Sequence, residues 1–427
     1  MLHSRAHNAL PTHWRICLAV LISFLIVSPA TIILRRLQAS LLVTAHPTLQ
    51  AAQAAARLDP SNELYPIQIA QVLQDQGRDP LPAWRRAIAI NPRNDLALTQ
   101  AAIASEMAGD LPGAERLLLQ AARTNQLWLP RWSLANFYFR RGQPGRTLHW
   151  AALALQRAYG DRTALFRLCR EAGASPERIL QMIEPADAEN LASYIHFLAA
   201  DAQPAPLTLE AAAAGYLQAA RASSLPPERI LTPVVHAVNA LIASGQPSPA
   251  IRLWDRLSAA GLLPYPARTP ARPLVNPDFA RPLPGGGFDW RIRQIPGIES
   301  YPGVPARGIK FIFSGSQPES ATLLQQVLYL QGGRSWQLSH DCQTLHLTSA
   351  NAGLAWTLTP AAGGPPLKPA SAMPLAADDW SRISASWALP PGDALYRLSL
   401  EIRRPAGQTR AEGEARLRAF SLREARP

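Results

Sequence analysis

The chain has 427 residues, 48% of them hydrophobic, and a formal net charge of +12. So apolar a composition excludes wholesale disorder, and the length suffices for two or three domains. The charge divides as +4 over residues 1–60, +2 over 61–261 and +6 over 262–427, and no basic run interleaves with aromatics, which excludes nucleic acid as a partner.

Forty of the basic residues are Arg and only Lys310 and Lys368 are Lys, a bias that reads as GC-rich coding and not as a phosphate-binding surface. Cys17, Cys169 and Cys342 are an odd count without a C-x-x-C pair, so structural, buried thiols are expected in place of a disulfide framework or zinc site.

After a tail of residues 1–15, Ile16 to Leu34 runs nineteen residues without a charge between Arg15 and Arg35-Arg36. As a helix it would span about 28 Å, one bilayer core. A cleavable signal ending near Ser28-Pro29-Ala30 is the rival reading, but the apolar continuation Thr31 to Leu34 favours an uncleaved transmembrane anchor. The short leading tail suits an N-in anchor with the remainder of the chain extracytoplasmic.

From residue 46 to 160 the chain repeats itself. Ala70, Ala102 and Ala135 are each followed seven residues later by a glycine, Gly77, Gly109 and Gly142, at spacings of 32 and 33 residues. The small residue falls mid-helix, where a neighbouring helix can approach, and the glycine falls where that helix must reverse. Second helices follow at Trp84–Ile90, Ala114–Ala122 and Thr147–Gln156, and Asp59-Pro60 and Asn91-Pro92 close units.

This pattern resembles the tetratricopeptide repeat, with Ala70, Ala102 and Ala135 at its small first-helix position. Pro80 and Pro82 depart from it by shortening one second helix, and Thr147 stands where the family usually has Ala. The resemblance implies an all-α solenoid that binds extended peptide or partner helices.

Helical periodicity continues through 161–261. Asp187 caps a helix with Leu191, Tyr194, Ile195 and Leu198 on one stripe; Thr208–Ala222 forms another; Glu228–Ser244 and Ser248–Ala260 make a closing pair. Residues 262–273 (LLPYPARTPARP) read as a stiff linker.

Over 274–427 the period becomes two. Tyr396, Leu398, Leu400 and Ile402 alternate with Arg397, Ser399, Glu401 and Arg403, and six similar runs separated by Gly and Pro turns predict a β-sandwich.

The segment Val275-Asn276-Pro277-Asp278-Phe279, the run Gln325-Gln326-Val327 through Gly332-Gly333 to Trp336 and Leu338-Ser339, and the strand Ala415–Leu422 together resemble the galactose-binding-like jelly rolls that include many carbohydrate-binding modules. In that fold the opening and closing strands often share a structural calcium site, and the family's usual closing-strand Asp, one of its expected ligands, is absent here.

His340, Cys342 and His346 share a strand parity that a metal site could use, but Trp336 and Leu338 lead the same face, which points it into the core; no metal or other cofactor is expected. Gly285-Gly286-Gly287 precedes a strand and reads as a turn. No catalytic motif is present.

Of the sandwich tryptophans, Trp290 (beside Asp289 and Arg291) and Trp380 (near Arg382) are the candidate sugar platforms. The expected whole is therefore a single-pass, extracytoplasmic bacterial envelope scaffold: a transmembrane helix, a helical-repeat solenoid for other envelope proteins and an all-β jelly roll for polysaccharide. The alternatives are a glycan-processing enzyme using Asp289, Asp341 or Glu401, and a cytoplasm-facing adaptor.

Overall fold

The computed structural model describes residues 12–45, 47–201, 205–266, 268–347, 353–372, 375, 378–407 and 410–425. It divides into two compact units, residues 1–159 and 160–427.

The first unit holds α1 (Thr12–Ala45), α2 (Leu49–Leu58), α3 (Leu64–Asp75), α4 (Leu81–Ile90), α5 (Asp95–Met107), α6 (Leu111–Thr124), α7 (Trp128–Arg140) and α8 (Pro144–Leu155). The pairs α3/α4, α5/α6 and α7/α8 are the three repeats. Each first helix ends alike. Gly77, Gly109 and Gly142 have φ of +66°, +85° and +61°. The next amide then donates back to the carbonyl five residues earlier: Arg78 to Leu73 (2.8 Å), Asp110 to Ser105 (2.9 Å), Gln143 to Tyr138 (3.0 Å). That left-handed position is open to glycine at no steric cost.

Ala70, Ala102 and Ala135 are fully buried. Thr147 is buried too, its hydroxyl donating to the Gln143 carbonyl at 3.0 Å, so the extra polar atom is satisfied within its own helix. Pro82 sits in the first turn of α4, where its missing N–H costs nothing. Between repeats, Glu63 accepts from Asn91 and Asn94 (both 3.0 Å), and Asp95 accepts from Asn125 (2.7 Å).

The expected transmembrane stretch, Ile16–Leu34, is helical throughout. Residues 16–34 are not a separate element but part of α1, which continues through Arg35-Arg36 to Ala45. Its last turns belong to the repeat array: Ala39 is buried with Ala55 and Tyr65, Val43 packs beside them, and Arg36 lies 3.6 Å from Asp59. Among the described residues no helix is long and apolar enough to cross a membrane. Most side chains from 15 to 26, including Cys17, lie outside the described residues.

The second unit opens with α9 (Thr163–Glu171), α10 (Pro176–Met182), α11 (Ala188–Ala199), α12 (Pro206–Ala222), α13 (Pro227–Ala243) and α14 (Pro247–Ala259). Asp187 caps α11 by accepting from the Asn190 amide at 2.9 Å.

Among the described residues ten strands follow: β1 (Arg291–Ile292), β2 (Ile298–Pro302), β3 (Gly308–Ser314), β4 (Ser320–Leu330), β5 (Ser335–Leu345), β6 (Leu354–Pro360), β7 (Ser371–Ala372), β8 (Ser381–Ala388), β9 (Ala394–Arg403) and β10 (Glu412–Glu424). They form a four-stranded sheet, β1-β4-β9-β6, and a six-stranded sheet, β2-β3-β10-β5-β8-β7, antiparallel throughout.

A bulge in β10 between Arg418 and Ser421, with Ala419 at φ +56°, turns Phe420 inward onto His340 at 5.1 Å. Trp290, Trp336, Trp356 and Trp387 fill the space between the sheets.

Residues 262–273 are no free spacer. Leu263 is buried, Tyr265 stacks on Trp254 (6.4 Å), and the Arg268 guanidinium sits 4.8 Å over Phe288 and 3.9 Å from Asp255. The triple glycine seats the sandwich on this layer. A Cβ at Gly287 would lie 2.0 Å from the Trp254 ring, and one at Gly286 would lie 2.6 Å from the Asn239 amide. Only a residue without a side chain admits such an approach.

Candidate binding faces

Trp290 is not a platform. It is 0% exposed, stacks on Phe279 at 5.3 Å, and donates its indole N–H to the Asn276 carbonyl at 3.1 Å. Asp289 beside it is equally buried, with the Trp290 amide donating to its carboxylate at 2.6 Å. Burial pushes this carboxyl up to about 7, against the opposing pull of that amide and of the Tyr265 and Asn276 side chains. Arg291 donates to the Asn239 side chain at 2.7 Å, and the same oxygen accepts from the Gly287 amide at 2.7 Å. Arg291 thus ties the sandwich to α13, while Trp290 and Asp289 are buried with no surface to offer a ligand.

Trp380 is the one sandwich tryptophan with a partly open ring among the described residues. It precedes β8, whose outward residues alternate as Arg382, Ser384 and Ser386. Strand register then builds a row across the outer face: Gly308 on β3 opposes Arg418 on β10, Arg418 opposes Asp341 on β5, and Asp341 opposes Arg382 on β8.

Arg382 donates to Asp341 and to the Ser339 hydroxyl, both at 2.9 Å; Arg418 approaches the same carboxylate at 3.6 Å and lays its guanidinium 3.9 Å over the Trp380 ring. Two residues along, Tyr301, Lys310, Arg416 and Gln343 form the next row, with Lys310 4.8 Å over the Tyr301 ring and Arg416 paired to Glu414 at 2.7 Å.

The face thus carries two aromatic rings, each under a cation; Arg382 and Arg418 share the Asp341 carboxylate, Arg416 pairs with Glu414, and the Tyr301 hydroxyl donates to Glu299. Such a surface favours a ring-shaped ligand bearing negative charge. Sequence reading found Trp380 and Arg382 but passed over Arg416 and Arg418, whose outward parity around buried Leu417 was the available signal.

The other chemical candidates do not converge. His340 and Cys342 point into the core, whereas His346 sits exposed in the turn after β5. His340 accepts from the Trp356 indole N–H at 2.9 Å, and burial lowers its pKa to about 4; burial likewise pushes the Cys342 and Cys169 thiols up to about 12. Asp289 is at the junction, Asp341 on the six-stranded sheet and Glu401 on β9 of the other, where it accepts from Thr357 at 3.2 Å.

In the first unit, the exposed large apolar side chains of the repeats lie on first helices or at their start: Leu64 on α3; Leu96, Ile103 and Met107 on α5; Leu129 on α7 and Leu127 at its N-cap. Among the described residues, α4, α6 and α8 carry none. Ile103 and Met107 line a groove of ≈ 320 Å³ with Gln74, Arg78, Pro80 and Gln100.

No protein-family model matches the chain, and no curated protein does. Its helices are similar to those of YrrB, described as a TPR protein with an unusual peptide-binding site. Identity is 13%, over 51% of this chain and 94% of that one, with a TM-score of 0.25. Pseudomonas aeruginosa pilF is similar at 16% identity over 54% and 90%, TM-score 0.25. The sandwich is similar to the CBM22-1 xylan-binding domain from Paenibacillus barcinonensis, at 13% identity over 32% and 86%, TM-score 0.23.

Proposed function

We propose that this chain is a non-enzymatic, membrane-tethered scaffold of the bacterial envelope that holds a glycan on its sandwich and a protein on its repeats. The observation that carries the reading is the outer face of the six-stranded sheet, where half-buried Trp380 lies under the Arg418 guanidinium and Arg418 and Arg382 share one carboxylate, Asp341. Two guanidinium groups on one carboxylate leave a surplus positive charge next to an aromatic ring. A sugar polymer with acidic substituents fits that combination: the ring packs on the indole and the acid meets the spare guanidinium.

The test is a screen of the purified chain on bacterial surface polysaccharides, neutral and acidic. Binding confined to acidic polymers, weakening as salt rises, supports the reading; binding to none defeats it.

Protein docking on the repeats is supported by the exposed apolar side chains gathered on and beside their first helices, with Ile103 and Met107 in one groove. Ile103→Asp with Met107→Asp should leave the fold intact and abolish partner crosslinking from that face.

Tethering rests on the uncharged run Ile16–Leu34, with residues after it outside the cytoplasm. Alkaline phosphatase fused after Pro273 should be active; an inactive fusion alongside an active cytoplasmic reporter at the same point overturns the orientation. A role in assembling or exporting surface polysaccharide follows if gene neighbours are polymerases or glycosyltransferases.

A further inference from the structure

On α11 and α13, away from the sandwich face, two histidines meet. The imidazoles of His196 and His236 are 4.9 Å apart between ring centroids at an interplanar angle of 70°. Both are exposed, and among the described residues neither ring nitrogen has a protein hydrogen-bond partner. His236 lines a groove of ≈ 550 Å³ together with Glu228, Thr232 and Asn239.

We infer that His196 and His236 form a two-imidazole site for a late divalent transition metal, Cu²⁺, Ni²⁺ or Zn²⁺, with water filling the other positions. The spacing is the main support. With nitrogen–metal bonds of ~2.1 Å and ring centroids ~1.1 Å behind the nitrogens, a shared ion lies ~3.2 Å from each centroid. The observed 4.9 Å separation then corresponds to a nitrogen–metal–nitrogen angle of about 100°. That falls between the square and tetrahedral values such ions accept.

Exposed rings turn freely, so presenting the right nitrogens needs no backbone change. Glu228 adds a negative charge to the same groove. Bound metal would clamp α11 to α13 one turn before Asn239, the residue that seats Gly287 and Arg291 of the sandwich.

The chelate supplies the test, since one imidazole alone holds these ions far less well than two. The full chain, free of any affinity tag and stripped with EDTA, is titrated with Cu²⁺, alongside His196→Ala, His236→Ala and the double variant. The chain has nine histidines, so the double variant sets the background. The expected result is one more site in the wild type than in the double variant, with an EPR spectrum showing two imidazole nitrogens.

Each single variant should lose affinity on the order of 10²-fold and so match the double. Zn²⁺ should raise the wild-type melting temperature and leave every variant unmoved. His196→Gln and His236→Gln repeat the comparison should an Ala variant fold poorly. Identical isotherms for wild type and double variant overturn the site. So does a pair that acts by ring packing alone, in which single variants lower the metal-free melting temperature and added metal changes nothing.

Discussion

In the repeat unit many of the fully buried side chains are alanines, Ala70, Ala101, Ala102, Ala121 and Ala135 among them, all without exposed surface. The sandwich instead closes on Trp290, Trp336, Trp356, Trp387 and Phe420, rings brought together from distant parts of the chain. Small residues let helix backbones approach, so the array gains stability from close packing of neighbours in sequence. The sandwich gains it from large apolar areas that only the finished topology buries. The same type of residue therefore means different things in the two places: an alanine is structural in the array, and a tryptophan must be sorted into core or surface in the sandwich.

Truncating a core ring should produce the largest effect. Trp290→Ala removes an indole enclosed by Phe279, Trp356 and Phe420 and should destabilise the second unit by ~3–5 kcal/mol, seen as a collapse of its thermal transition. In the array the converse change is the damaging one. Ala102→Trp has no room to expand into and should cost ~1–3 kcal/mol, whereas exposed Arg93→Ala should be nearly silent. Equal melting temperatures for those two variants would break the contrast.

Two buried titrating groups of opposite sense sharpen it further. Asp289, raised to about 7, keeps a proton between about pH 4 and 7 that the unfolded chain has released, so its contribution to stability falls as pH rises through that window. His340, lowered to about 4, lacks a proton between about pH 4 and 6.5 that the unfolded chain holds, so its contribution rises. The two nearly cancel in the wild type. Asp289→Asn should unmask an upward slope and His340→Gln a downward one, each of about 1 kcal/mol per pH unit, in melts between pH 4.5 and 6.5.

Much of the fold could be read from period and punctuation. The seven-residue step from alanine to glycine maps directly onto helix interior and left-handed cap, because local geometry alone decides both. The alternation around Tyr396–Ile402 gave strand and face together for the same reason.

What sequence could not reach were features decided by distant partners. The proline-rich 262–273 looked like a spacer because nothing local shows Tyr265 against Trp254 or Arg268 over Phe288. Trp290 between Asp289 and Arg291 looked like a sugar platform because charged neighbours suggest a surface. In the structure Asp289 is buried at the junction, and Arg291 is tied to Asn239, fifty-two positions away in sequence. Arg418, half of the guanidinium pair on Asp341, comes from the last strand and reaches Trp380 only through sheet order.

Trp380 marks the small end of the stability scale and the centre of the account. Trp380→Ala and Arg382→Ala should each change the melting temperature by less than the equivalent of ~0.5 kcal/mol, as surface substitutions do. Measured against an acidic polysaccharide by calorimetry, with Trp290→Ala as the unfolded control, both should lose most of the binding while keeping the wild-type melt. Undiminished binding in Trp380→Ala and Arg382→Ala would contradict the claim that this sheet face is where the chain holds its ligand.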